Sequence, residues 1–346
     1  MPPLSLELFT GGILLGSLTF YVLMGGADYG AGVWTLLAQG RGGREQRRLI
    51  AQAIAPIWEA NHVWLILVVT VLFTAFPPAF AAIATQLHIP LTLMLIGIVL
   101  RGAAFAFRTH DIGKHALHPR LELIFAVASV ITPVVLGVTI GTIASGRLGN
   151  KAEGFVNTFI YPWLAPFPLT VGLLALAQFA LLAAVYLSFE AREHTLREAF
   201  RRRALVATVM VAILAVLVFV LSGQGAPQVR RDLGQSAWGR PLIAVTGALA
   251  IGTMLALIGR QYGLARVFTV GQVIGVLWGW AWAQFPYLIV PDVTIYSAAA
   301  SSRTLAWLLA ALLFGAVLLF PSMYYLFRVF KGRSVFRLES QGNRLR

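Results

Sequence analysis

Apolar runs of eighteen or more residues recur nine times along this chain. A backbone buried in hydrocarbon must satisfy its own polar groups, so only helices or closed barrels can carry such runs across a bilayer. The runs are Leu6–Leu37, Ile54–Phe76, Ala79–Phe107, Leu121–Ser145, Trp163–Phe189, Ala204–Leu221, Pro241–Ile258, Val267–Leu288 and Leu305–Phe327. At about 1.5 Å per residue each reaches across a core about 30 Å thick. The expectation is an all-α, polytopic membrane protein with nine transmembrane helices in a single transmembrane domain. Short connections favour antiparallel neighbours, arranged here as two four-helix bundles (1–146 and 163–288) with a ninth, peripheral helix at 305–327. A repeat between the two halves is too weak to establish that division.

Only 12% of the residues are charged, about half the fraction usual for soluble domains. The formal net charge of +14 does not indicate nucleic acid, because the basic residues sit in the connections. With the N-terminus outside, twenty of the 27 Lys and Arg residues fall in inside segments, six in outside segments, and Arg101 in a span. This asymmetry predicts N-out, C-in and an odd number of spans, in a bacterial inner membrane. The first run is too long for a cleavable leader and has no basic segment before it. Gly40–Gln52 reads as a turn into the second span, and Glu190–Arg203 as a helix extending beyond the membrane.

The absence of cysteine excludes disulfides, iron–sulfur clusters and thiolate or c-type haem. His110, His115, His118 and His194 lie in connections, while His62 and His88 stand alone on separate runs. No metal or haem site is expected on this chain.

Three charged residues lie well inside the first three spans: Asp28, Glu59 and Arg101. Allowing for chain direction, all three lie about 7–14 Å from the same membrane face. Charges at such depth are costly and gather together. The plainer reading is a structural ion pair of Arg101 with Asp28 or Glu59. The functional reading is a proton-transfer chain of Glu59 and Asp28, extended by Asn61 and His62. Gly26 and Gly30, around Asp28, provide a small-xxx-small face for close helix contact. Trp58 and Trp64 flank the Glu59 cluster, and Trp278 and Trp282 share a face near the end of the eighth span. These four are candidate oxygen or quinone contacts, although an aromatic belt explains the second pair as well.

These stretches also resemble a known family. Gly26-Ala27-Asp28-Tyr29-Gly30-Ala31-Gly32 is similar to its Gly-x-Asp-x-Gly-x-Gly signature. Ala55-Pro56-Ile57-Trp58-Glu59-Ala60-Asn61-His62-Val63-Trp64-Leu65 resembles its Ala-Pro-x-Trp-acidic-x-Asn-x-Val-Trp-Leu motif. Phe76-Pro77, Leu100–Arg108 and Gln284-Phe285-Pro286 match in order. The family is subunit II of the cytochrome bd-type quinol oxidases, cyanide-insensitive members included.

The resemblance spans essentially the whole chain and implies a heterodimer with subunit I. That partner holds haems b558, b595 and d and oxidises quinol while reducing oxygen to water. Subunit II carries no haem, stabilises its partner and helps bring protons, and oxygen, to those haems. The resemblance leaves room for a bound quinone, lipids and a small single-helix subunit. Many members have aspartate where this chain has Glu59, so the geometry of any route through it differs by one methylene. The competing reading is a proton-coupled secondary transporter, for which intramembrane carboxylates also serve. Against it, no paired broken helices stand out at corresponding places in the two halves.

Overall fold

The computed structural model describes residues 5–40, 42–54, 58–110, 118–148 and 154–342. The first apolar run forms α1 (Leu6–Phe20), a π-helical turn at Tyr21–Gly25, and α2 (Gly26–Leu37). Ser5 caps α1 by accepting from the Leu8 N–H. Then come α3 (Gly43–Ile54), α4 (Trp58–Ala75), α5 (Pro77–Gln86), α6 (His88–His110) and α7 (His118–Ala144). Short α8 (Phe155–Phe159) and α9 (Tyr161–Leu164) precede α10 (Pro166–Glu190) and α11 (His194–Gly225). The chain continues through α12 (Pro227–Gln235), α13 (Gly239–Ile258) and α14 (Tyr262–Gln284). An antiparallel pair, β1 (Tyr287–Ile289) and β2 (Val293–Thr294), leads to α15 (Ser302–Gly342).

Among the described residues, eight helical stretches are each long and apolar enough to cross a membrane, or nine if α4 and α5 count as one bent span. The all-α polytopic expectation holds, with corrections at several boundaries. The third span begins at His88 rather than Ala79. Residues 77–86 form α5, bent 117° from α4. Pro77 lacks the N–H needed to continue α4, whereas at the start of a new helix none is required. At ten residues, α5 extends only about 15 Å and cannot span alone. The Ala75 carbonyl at the end of α4 accepts from the Ala300 N–H (2.8 Å), so the segment after β2 caps it. The fifth span begins at Pro166, Trp163 lying in α9. The eighth ends at Gln284, ahead of Pro286, and the hairpin follows. Gly40–Gln52 is largely helix α3 rather than a turn. The charged stretch after Glu190 opens α11 and continues without a break into its apolar part.

The centre of the protein is where α2, α7 and α10 meet. Helix α10 presents Leu181, Leu182, Ala184 and Val185, all fully buried. It packs on α2 and α7 as well as on α11 and α14, so one helix joins the early and late parts of the chain. Glycine makes the approach close. A Cβ on Gly30 would lie 1.8 Å from the Phe179 carbonyl oxygen, and one on Gly32 2.2 Å from the Ser129 side chain. Helix α15 packs on α1 and α4 and is largely exposed over Ser302–Leu326. Ile66, Phe73, Leu95, Val99, Trp307 and Phe314 are also exposed, as suits a protein whose surroundings are apolar.

Candidate functional site

The polar residues of the first three spans meet near the π turn. In that turn the Gly26 N–H bonds back to the Tyr21 carbonyl, an i→i+5 bond equivalent to one inserted residue. Everything after it is rotated relative to α1. The rotation leaves Asp28 buried and Tyr29 wholly buried, with the Tyr21 and Tyr29 hydroxyls 3.4 Å apart.

Helix α4 brings Asn61 to Asp28. The Asn61 Nδ2 donates to Asp28 Oδ2 at 2.7 Å, a short bond of the kind a carboxylate acceptor favours. Asn61 is 1% exposed, and its Oδ1 has no partner among the described residues.

Helix α6 brings Arg101 to the next residue of α4. Arg101 Nη1 lies 3.1 Å from His62 Nε2. Arginine has no acceptor, so His62 must accept through Nε2 and carry its proton on Nδ1. Arg101 Nε donates to Ser129 Oγ on α7 (3.2 Å). The guanidinium sits 4.6 Å from the Tyr29 ring centroid and 5.1 Å from that of Phe125, within cation–π range. A 1%-exposed arginine is thus stabilised by an imidazole, a hydroxyl and two aromatic faces.

Of the three charged residues placed at one depth, Asp28 and Arg101 both meet α4, at Asn61 and His62. Of the expected ion pair of Arg101 with Asp28 or Glu59, the Asp28 form is absent among the described residues, and the Glu59 form lies outside them. Each charge meets α4 instead, Asp28 at Asn61 and Arg101 at His62. Helix α4 places position 59 one turn before His62, but the Trp58 and Glu59 side chains lie outside the described residues. So do the side chains of His110, His115 and His118. Sequence reasoning missed Tyr29, Phe125 and Ser129. Tyr29 adjoins Asp28 and could have been included, whereas Ser129 and Phe125 carry no charge that would have flagged them.

Asp28 and Asn61 also line a cavity of about 350 Å³. Ala27, Tyr186, Glu190 and Arg266 line it with them. Trp64 is buried, its ring stacked on Phe20 at 4.4 Å. Trp278 donates to Thr19 Oγ1 (3.0 Å) and Trp282 lies against Trp238 (6.3 Å), both tryptophans being exposed. Among the described residues, no three His, Cys, Asp or Glu side chains converge as a metal site. His62 Nε2 already faces a guanidinium, which does not suit an axial haem ligand.

Residues 6–330 match the family described as cytochrome bd terminal oxidase subunit II. The chain belongs to this family. It is 24% identical over 335 residues to the putative cytochrome bd menaquinol oxidase subunit II of Bacillus subtilis, covering 92% of this chain and 93% of that one. It is 30% identical over 220 residues to the cytochrome bd-I ubiquinol oxidase subunit 2 of Escherichia coli, covering 62% of this chain and 55% of the relative. Its fold matches a chain of the bd oxidase from Geobacillus thermodenitrificans with a TM-score of 0.80 at 22% identity, over 94% of this chain and 99% of the other. Membership makes the chain a multi-pass membrane subunit of a terminal oxidase and implies a subunit I partner.

Proposed function

We propose that this chain is the haem-free subunit II of a quinol:oxygen oxidoreductase, and that it stabilises subunit I and conducts protons toward it. In this reading the haems b558, b595 and d belong to subunit I. The arginine-rich ends of the spans face the cytoplasm of a bacterium, with the N-terminus outside. The observation that carries the proton role is the buried Asp28–Asn61 hydrogen bond opening onto a cavity. A buried carboxylate is costly unless it serves a purpose, and the helix that binds Asp28 also carries Glu59 and His62. Asp28 and Glu59 would exchange protons, Asn61 would orient Asp28, and His62 with Arg101 would fix α4 against α6.

The test is oxygen consumption and proton uptake by the purified two-subunit oxidase carrying Asp28→Asn or Glu59→Gln, with haem content measured alongside. Slowed turnover at normal haem content supports the role. Unchanged turnover removes it, and lost haem makes these residues structural. The transporter alternative has less support. One bent helix pair is present, α4 with α5, and no counterpart occurs among the described residues of the later half.

A further inference from the structure

The cavity beside Asp28 has a direction. Its lining from α10 is Ala183, Tyr186, Leu187, Phe189 and Glu190. Positions 183, 186, 187 and 190 share one helix face and span about 10 Å along the axis. One end is buried: Asp28 is 4% exposed and Asn61 1%. At the other end Phe189, Glu190 and Arg266 are all exposed. That end lies where α10 gives way to the charged stretch with Arg192, Arg197, Arg201 and Arg203. The cavity lining therefore extends from a surface carboxylate at the arginine-rich face to a buried one about two helical turns deeper.

We propose that this cavity, between α2, α10 and α14, is the inlet by which protons reach Asp28, with Glu190 at its mouth as a positioning residue. The inference rests on the proton role argued above and adds where that route begins. The cavity has room for about ten waters at ~30 Å³ each. Its deep end supplies polar partners for them, because Asn61 Oδ1 is buried and unpartnered beside Asp28. The walls are mostly small or apolar, with Ala27, Ala31, Ala53 and Val270, and among the described residues no basic group lines them between mouth and floor. At the mouth the exposed Glu190 carboxylate meets solvent, and Arg266 lies 4.8 Å from the Phe189 ring beside it. Among the described residues, the titratable or charged groups lining the cavity with Glu190 are Tyr186 on α10, Arg266 on α14 and Asp28 on α2. Helix α3 contributes Ala53 and α4 Asn61, neither of which titrates.

The test uses the intact oxidase with subunit I. Ala27→Leu and Ala53→Leu narrow the passage from two different helices, while Glu190→Gln and Glu190→Asp alter only its exposed mouth. Haem content, turnover against pH and the rate of proton uptake are read for each. The narrowing variants are expected to slow turnover about tenfold, short of the ~10²-fold or more that a positioned proton donor contributes directly, with haem spectra unchanged. Glu190→Gln is expected to shift the alkaline limb of the pH profile toward lower pH, and Glu190→Asp to restore it. If Asp28→Asn slows turnover while all four variants keep the wild-type rate and pH profile, protons reach Asp28 elsewhere and the inlet is refuted on its own. If Asp28→Asn has no effect, the inlet falls together with the proton role. If the narrowing variants lose haem, the Glu190 pair decides: an unmoved pH profile overturns the proposal. A quinone or lipid that co-purifies with the wild type and is lost in Ala27→Leu, with proton uptake unchanged, also overturns it.

Discussion

Asn61 and His62, neighbours on one helix, separate a buried anion from a buried cation: the first donates to Asp28 at 2.7 Å and the second meets Arg101 at 3.1 Å. Opposite charges approaching the same helix at adjacent residues hold three spans in register without direct contact. The carboxylate keeps one oxygen for a neutral donor, an arrangement suited to a group that must take up and release a proton.

Removing that donor should therefore affect Asp28 first. Asn61→Leu leaves Asp28 Oδ2 without its bond, an expected cost of about 1–3 kcal/mol. Turnover of the assembled oxidase should fall, and the double variant Asn61→Leu/Asp28→Asn should be no worse than Asp28→Asn alone. Additive losses measured by that cycle would mean the two residues act separately.

Position 59 tests the acid requirement. Glu59→Asp shortens the side chain by one methylene but keeps the acid, and is expected to retain most activity. Glu59→Gln should slow oxygen reduction by roughly 10²-fold, the lower end for a positioned proton-transfer group. Equal rates for the two variants, at equal haem content, would show that the acid is not used.

Arg101 should be a matter of assembly rather than chemistry. Arg101→Leu removes the donors to His62 and Ser129 and the cation over Tyr29 and Phe125. A loss on the order of 3–5 kcal/mol is expected, as when one member of a buried charged network is deleted. Arg101→Lys keeps charge but not the planar fork and should be intermediate. The yield of heterodimer with its full haem complement is the measurement.

Close packing of α2 on α10 gives a prediction independent of charge. In Gly30→Ala the new methyl would lie 1.8 Å from the Phe179 carbonyl oxygen, so the helices must part. A loss of about 1–3 kcal/mol is expected for such overpacking, read as a lower thermal midpoint of the purified complex. Gly12→Ala, where a Cβ meets nothing within 4 Å, is the control and should be near neutral.

The sequence revealed some of these features because of how their physics works. Charge at depth is rare enough that Asp28, Glu59 and Arg101 stood out and could be placed at one level from their distance to the span ends. Gly26 and Gly30 announced a tight contact, but a small-residue face does not say which helix fills it, and Phe179 lies some 150 residues away. Ser129 and Phe125 were invisible because one hydroxyl and one ring on an apolar helix resemble any others. The break at Leu87 was missed because hydropathy does not register a helix boundary inside an apolar run, leaving α5 and α6 to read as one. The π turn leaves no trace in Tyr21-Val22-Leu23-Met24-Gly25, which would pass as ordinary helix.

That turn makes spacing as exacting as residue identity. Excising one residue between Tyr21 and Gly25 would let the ladder close as continuous α-helix. The second half of the span would then keep its register, because the turn holds that one extra residue; closing the ladder without the excision would instead swing it by about 100°, carrying Asp28 away from Asn61 and Gly30 away from Phe179. A change that leaves every charged, aromatic and small side chain in place could therefore dismantle the whole constellation, and in swaps of this segment between relatives the count of residues and the type of turn must change together.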